Sequence, residues 1–504
     1  MAGNTWKPEP PPTRPGGADV LAGLSVALVL IPQSMAYAEL AGLPPHIGLF
    51  AAALPPILAS LAASSPYLQT GPVALTSLLT LGGLAELAQP GSVDYVELAA
   101  LLALIVGLTR LALGLFRLGV VAYLMSEPVL SGFTSGAAIL ILSSQLPKAL
   151  GVDAPDGGVL ERAWWSLTNP DDWGIGAVAI AAVTVLLVLG GRRLHRLFPG
   201  ALVAVVGGVA FSRITGYEGP VVGSVPTGFP DIGLDLPWGS TGSLLVAGGV
   251  IALVGFAEPA SISRMFATAD RQPWSADREF ISQGLANIAA GLSGAFPVGG
   301  SFSRSSLNRL AGARSRWSGL VTGVAVLAFL PFADVLEPLP RATLGGVVIA
   351  AVVGLVQPVQ LVDTIRRSTP QGLVAWGTFG ATLAMAPRVE RGVIIGIGLS
   401  LALHLWRELH VDVPRRREGN TLCLDTRGVL WFATASRLEQ FVLDALAEEP
   451  DIDSLRIDLG GCGRVDYTAA TTIRRLAEDA RAAGLAVSVT SVPANVAGYL
   501  SEFS

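Results

Sequence analysis

Residues 20–38, 236–257 and 342–362 each run for about 20 positions without one charged side chain. A helix of that length spans the hydrocarbon of a bilayer, and lipid offers no water to satisfy a broken backbone. Nine further apolar segments fit at 47–63, 98–116, 120–145, 174–190, 199–214, 281–295, 318–332, 372–386 and 392–406. Two more, 71–87 and 301–310, are too short or too polar to cross alone. A wholly soluble enzyme and a secreted disulfide scaffold are both excluded.

Orientation follows the arginines, since Lys occurs only at positions 7 and 148. Basic loops hold Arg192, Arg193 and Arg196; Arg309, Arg314 and Arg316; Arg366 and Arg367; and Arg415, Arg416 and Arg417. Acidic loops alternate with them at 153–172, at Asp231 and Asp235, and at Asp334 with Glu337. Cytoplasmic loops carry the excess of Arg. Every basic loop falls inside only if the two irregular segments each count as one crossing. The expectation is fourteen spans, both termini cytoplasmic, in the cell (inner) membrane.

The last 87 residues differ. They carry 13 Asp/Glu and 7 Arg, close to the charge density of an ordinary soluble domain, about 25%. The rest of the chain is nearly neutral overall, which leaves no case for nucleic-acid binding. Both cysteines, Cys423 and Cys462, fall in this tail and read as small core residues, with no metal spacing around them or the four histidines. The first 17 residues are a Pro-rich cytosolic lead-in without a signal peptide.

The irregular segments carry the chemistry. One reads Ser65 to Ser77 around Gly71-Pro72-Val73-Ala74; the other reads Phe296 to Ser306 around Gly300-Ser301-Phe302-Ser303-Arg304. Each is an extended, Pro/Gly-broken stretch followed by a helix start, with Pro72 suited to a first helical position and Ser301 or Ser303 to an N-cap. Such backbone survives at membrane depth only when buried or lining a cavity, and matched interruptions in two halves mark a transporter's midplane site. They are the third crossing of each set of seven. An odd number of crossings per half inverts the second half, giving a seven-plus-seven inverted repeat (18–215 and 236–408). Two facing helix N-termini favour an anion by about 0.3–1 kcal/mol each. Arg304 then either completes an anion site or snorkels to a headgroup.

At these residues the chain resembles the sulfate permease (SulP) family, relatives of pendrin and prestin. Val29 to Ala38 with Ala41-Gly42-Leu43-Pro44-Pro45, the two half-helix starts, and Gly284-Leu285-Ala286-Asn287 carry the likeness. The resemblance implies an α-helical polytopic membrane protein that moves a small anion by an elevator-like displacement of a core domain against a gate domain. It implies substrate contacts at Gln33, Tyr37, Val73, Ser301, Phe302, Ser303 and Arg304, and a homodimer surrounded by membrane lipid. Glu258 stands where sodium-coupled bicarbonate members place an Asp, and Pro259 follows it. This points to protons as the coupled ion, with Glu39 and Glu258 as carriers, and to symport of a fumarate-like dicarboxylate. Sulfate, bicarbonate or chloride transport or exchange, a channel and a sensor stay open as alternatives. No cofactor, metal or catalytic residue is expected.

Residues 418–504 alternate strand and helix, which argues a small α/β domain. Leu459-Gly460-Gly461-Cys462-Gly463 reads as a turn before a helix. The tail resembles the STAS domain of SulP proteins, with Asp466 and Thr468 near a phosphorylation motif of related domains.

Overall fold

The computed structural model describes residues 16–503 apart from 124, 196 and 197. The Pro-rich lead-in before residue 16 and Arg196 of the first basic loop lie outside the described residues. The chain divides into two compact units, Met1–Ile397 and Gly398–Ser504.

In the larger unit the helices are α1 (Gly17–Leu40), α2 (Pro45–Ala62), α3 (Ala74–Leu84), α4 (Val93–Leu115), α5 (Glu127–Leu150), α6 (Val159–Thr168), α7 (Ile175–Leu194) and α8 (Gly200–Thr215). There follow α9 (Thr241–Asp270), α10 (Ala276–Leu292), α11 (Phe302–Leu310), α12 (Trp317–Phe329), α13 (Arg341–Val352), α14 (Pro358–Arg367), α15 (Thr369–Ala384) and α16 (Val389–Glu408), whose residues from Gly398 on belong to the smaller unit. Two-residue strands, β1 (Thr70–Gly71) and β2 (Gly299–Gly300), precede α3 and α11. With α6 and α14 set aside as short amphipathic helices, fourteen crossing elements remain among the described residues. Both amphipathic helices follow the fifth crossing of their half, a trace of the repeat that hydropathy did not show.

The crossings form two bundles. In one, α4 packs on α10 and α9, and α2 packs on α12, α10 and α1; in the other, α13 packs on α7 and α5, α15 on α5, and α7 on α8. Small residues set these distances: Gly323 abuts the Ala53 carbonyl of α2, and Gly396 abuts Thr378 of α15.

Several sequence boundaries shift. The span expected at 120–145 is α5 at Glu127–Leu150, because Ser126-Glu127-Pro128 starts the helix and a 3-10 turn occupies Gly119–Tyr123. The span expected at 342–362 ends at Leu355, and Pro358 opens α14 as a separate helix. The span at 236–257 continues to Asp270, through Pro259. Pro32 does not break α1 either, which runs on to Leu40, and the Ser34 hydroxyl donates back to the Ile31 carbonyl (2.7 Å).

The smaller unit begins before residue 418. The basic run read as a loop is an edge strand, β3 (Arg415–Glu418), antiparallel to β4 (Thr421–Leu430). Its exposed arginines blunt an open edge. β5 (Ser454–Val465) and β6 (Ala486–Thr490) continue the sheet in parallel, α17 (Phe432–Glu448) and α18 (Tyr467–Ala482) pack on it, and α19 (Ala497–Leu500) packs on α18. The glycine cluster is no turn. It lies inside β5 where the register against β4 slips, and a Cβ on Gly461 would stand 2.7 Å from the Thr426 carbonyl. Asp466 caps α18, accepting from Ala469 N–H (2.8 Å) and from Phe432 N–H (3.0 Å).

Candidate anion site

β1 and β2 pair antiparallel, Thr70 with Gly300 and Gly71 with Gly299. This ladder brings the starts of α3 and α11 together from the two halves of the chain. Val73 is the N-cap of α3 and Ser301 that of α11. Pro72 therefore sits before the helix and not at its first position, and of the two candidate serines Ser301 takes the cap. Neither N-cap side chain accepts a hydrogen bond from its helix. Thr76 and Ser77 hydroxyls donate back to the Val73 carbonyl (3.2 and 2.9 Å), so they leave the first N–H groups of α3 uncovered.

The scaffold behind the ladder is polar and buried. Gln69 N–H donates to Ser305 Oγ (2.9 Å), Ser301 N–H to the Gln69 carbonyl (3.0 Å), and Gln283 Nε2 to Thr70 Oγ1 (2.8 Å). Asn287 clamps Val298 twice, accepting from its N–H (2.9 Å) and donating to its carbonyl (3.1 Å). Gly71 adopts φ +154°, and a Cβ there would meet Leu30 at 3.3 Å and Arg304 Nη2 at 3.5 Å. Glycine keeps that side of the guanidinium clear.

Arg304 is 1% exposed. Its Nη1 reaches Gln33 Oε1 on α1 at 3.4 Å, while Nε and Nη2 have no hydrogen-bond partner among the described residues. Tyr37 lies one turn beyond Gln33 on the same helix face. Val73 and Ser301 are buried beside the ladder, Ser303 is half-buried with its hydroxyl 3.3 Å from that of Ser301, and the Phe302 ring is half exposed. The structure thus brings Gln33, Val73, Ser301, Ser303 and Arg304 around one point.

Glu258 joins them from α9. Its Oε1 accepts the Phe302 N–H at 3.3 Å, placing a carboxylate on the positive end of α11. Glu258 also lines a cavity of about 300 Å³ shared with Glu127, Ser131 and Thr134 of α5 and with Gln357 and Gln360. Glu127, Gln357 and Gln360 continue into a wider vestibule of about 910 Å³. A second chamber, about 210 Å³, holds Gln33 and Ser303, and Phe302 lines both it and the Glu258 cavity.

Glu39 is elsewhere. Because α1 runs unbroken to Leu40, Glu39 lies far along the helix, bonded to Lys148 Nζ of α5 (2.7 Å) and 3.8 Å from Arg341 Nε of α13. These contacts cross from one bundle to the other. Glu127 and Lys148 stand 21 residues apart on α5, about 31 Å by helical rise. The bundles are open at one end and clasped at the other.

The residues missed by sequence reasoning are Glu127 and Arg110, the latter fully buried on α4. A lone Arg inside an apolar span was the available signal.

The chain is similar to known proteins in sequence and in fold. Residues 17–378 match the model of the sulfate permease family, and residues 413–504 match a STAS domain model described as Mlab. Sulfate transporter 4.1, chloroplastic, of Arabidopsis thaliana is 32% identical over 417 residues, covering 80% of this chain and 61% of its own. A probable sulfate transporter of Mycobacterium tuberculosis (strain ATCC 25618 / H37Rv) is 33% identical over 399 residues, 78% of this chain and 70% of its own. The chain thus spans about three fifths of the plant relative's length. Murine Slc26a9, an anion transporter solved in an inward-facing state, superposes with a TM-score of 0.86 at 20% identity, over 96% of this chain and 87% of that one. The transmembrane domain of the cyanobacterial bicarbonate transporter BicA gives 0.65 at 22% identity, over 76% and 97%. With the paired half-helix starts, the clamped strand and a family match over most of its length, the chain belongs to the sulfate permease family.

Proposed function

We propose that this protein is a proton-coupled secondary transporter of a small divalent anion, a fumarate-like dicarboxylate or sulfate. The observation that carries the reading is Arg304: a buried guanidinium with two unpartnered nitrogens beside two helix starts that no side chain caps. A buried cation without a full set of acceptors is unfavourable until an anion arrives. Sulfate is the anion named in the plant and mycobacterial relatives. Glu258, on the same helix start and open to the vestibule, is the coupling carboxylate in this reading. Arg366 and Arg367 lie on α14 at the vestibule end, so the positive-inside rule makes that end cytoplasmic and the state inward-open. The α1–α4 and α9–α12 bundle carries the site and moves against the other.

Purified protein in liposomes tests this. An inward proton gradient is expected to accelerate labelled sulfate or fumarate uptake several-fold, and a protonophore to abolish the gain. A large uncoupled current would make it a channel; binding without flux would make it a sensor.

In the same reading the Glu39 contacts latch the outer end. Exposed ion pairs contribute about 0.2–1 kcal/mol, and this one is partly buried. Glu39→Gln is therefore expected to speed amide exchange around residues 38–42 and 144–150 by about two- to fivefold, leaving proton acceleration intact. Loss of proton acceleration with unchanged exchange would instead make Glu39 the proton carrier.

A further inference from the structure

Arg110 is 0% exposed and lies on α4. Its guanidinium donates to the main-chain carbonyls of Ile251 and Ala252 on α9 and of Val298, each at 3.0 Å. Among the described residues no carboxylate comes within ion-pair distance of it. Carbonyl dipoles satisfy its N–H groups but leave its net charge uncancelled.

The position of that charge is specific. Val298, held also by Asn287, immediately precedes β2 and stands three residues before the N-cap of α11. Gly255 of α9 fills the other side: a Cβ there would lie 2.7 Å from Arg110 Nη2 and 3.0 Å from Thr76 Cγ2, in the first turn of α3. The guanidinium therefore sits directly behind both half-helix starts. Among the described residues three charged side chains surround them: Arg304, Glu258 and Arg110, with Glu127 further out in the vestibule, bonded to Gln360. With Glu258 ionised their sum is one positive charge; with Glu258 protonated it is two.

We propose that Arg110 is the second cation of the anion site, a positioning residue whose uncompensated charge selects divalent over monovalent anions. This rests on the anion-site reading above. A structural clamp alone needs donors, not charge, and a field acts on an anion in proportion to the anion's own charge. The factor lost on removing the charge is thus squared for a divalent ligand relative to a monovalent one.

The test titrates purified full-length protein with sulfate and with nitrate, following thermal shift or heat. Arg110→Gln keeps two donors and loses the charge; it is expected to weaken nitrate about threefold and sulfate about tenfold. Arg110→Lys keeps the charge with different donors; it is expected to bind both anions within about twofold of wild type even if it melts earlier. Equal losses for the two anions in Arg110→Gln, or a lysine variant as weak for sulfate as the glutamine one, would overturn the proposal. If the glutamine variant does not fold, the lysine variant decides alone: a wild-type preference for sulfate over nitrate supports it, and a lost preference refutes it. Should both variants fail to fold, Arg110→Met, an apolar replacement of similar length, is read by the glutamine criterion. Wild type that binds neither anion would instead sink the anion-site reading itself.

Discussion

Arg304→Ala is expected to give a folded protein that no longer carries anions. The guanidinium is buried, with one long contact to Gln33 and two nitrogens unpartnered, so its removal takes away a desolvated charge and breaks little. Were it held in a complete buried pair, the same change would cost about 3–5 kcal/mol. The thermal midpoint should hold or rise. Removing one side of a buried charge pair with the bound anion costs about 2–5 kcal/mol, which is about thirtyfold to several thousandfold in affinity. Melting curves and labelled-anion uptake measured on one preparation check both halves. A stable Arg304→Ala protein transporting at the wild-type rate would remove this residue from the site.

Glu258→Gln should separate binding from coupling. The amide oxygen can still accept the Phe302 N–H, so the start of α11 keeps its partner. Ionised Glu258 competes electrostatically with an incoming anion, whereas the protonated acid does not. Wild-type affinity should therefore fall as pH rises through the titration of this group, by at most about tenfold per pH unit. The glutamine variant mimics the protonated state, so its affinity should stay at the low-pH value, and acceleration by a proton gradient should vanish. Unchanged pH dependence and unchanged rate would leave Glu258 a helix cap only.

The crossings were legible because bilayer thickness imposes a length that apolar runs report directly. Errors fell where apolar residues serve another purpose. Val359, Leu361 and Val362 continue a hydrophobic run but belong to an amphipathic helix opened by Pro358. Val120 and Val121 extend α5 on paper but sit in a turn that ends before Ser126. At the site, the half-helix residues were readable from broken segments plus Ser and Arg, and the structure gathers most of them. Phe302 contributes its main chain and a half-exposed ring shared by two cavities, which side-chain pattern does not show. Glu39 and Arg110 have their partners 109 to 302 and 141 to 188 residues away. Among the described residues Arg110 bonds only to carbonyls, which leave no trace in residue identity.

The two-residue ladder between Thr70 and Gly300 also has a consequence for biogenesis. Its partners are 230 positions apart, and synthesis proceeds at about 5–20 residues per second. For roughly 10–50 s the first half waits in the bilayer with a strand unpaired and the start of α3 uncovered, in a solvent that offers no replacement partners. The paired half-helix starts thus form only after about three fifths of the chain has been made, and a ribosome that stops before Gly299 leaves them unpaired.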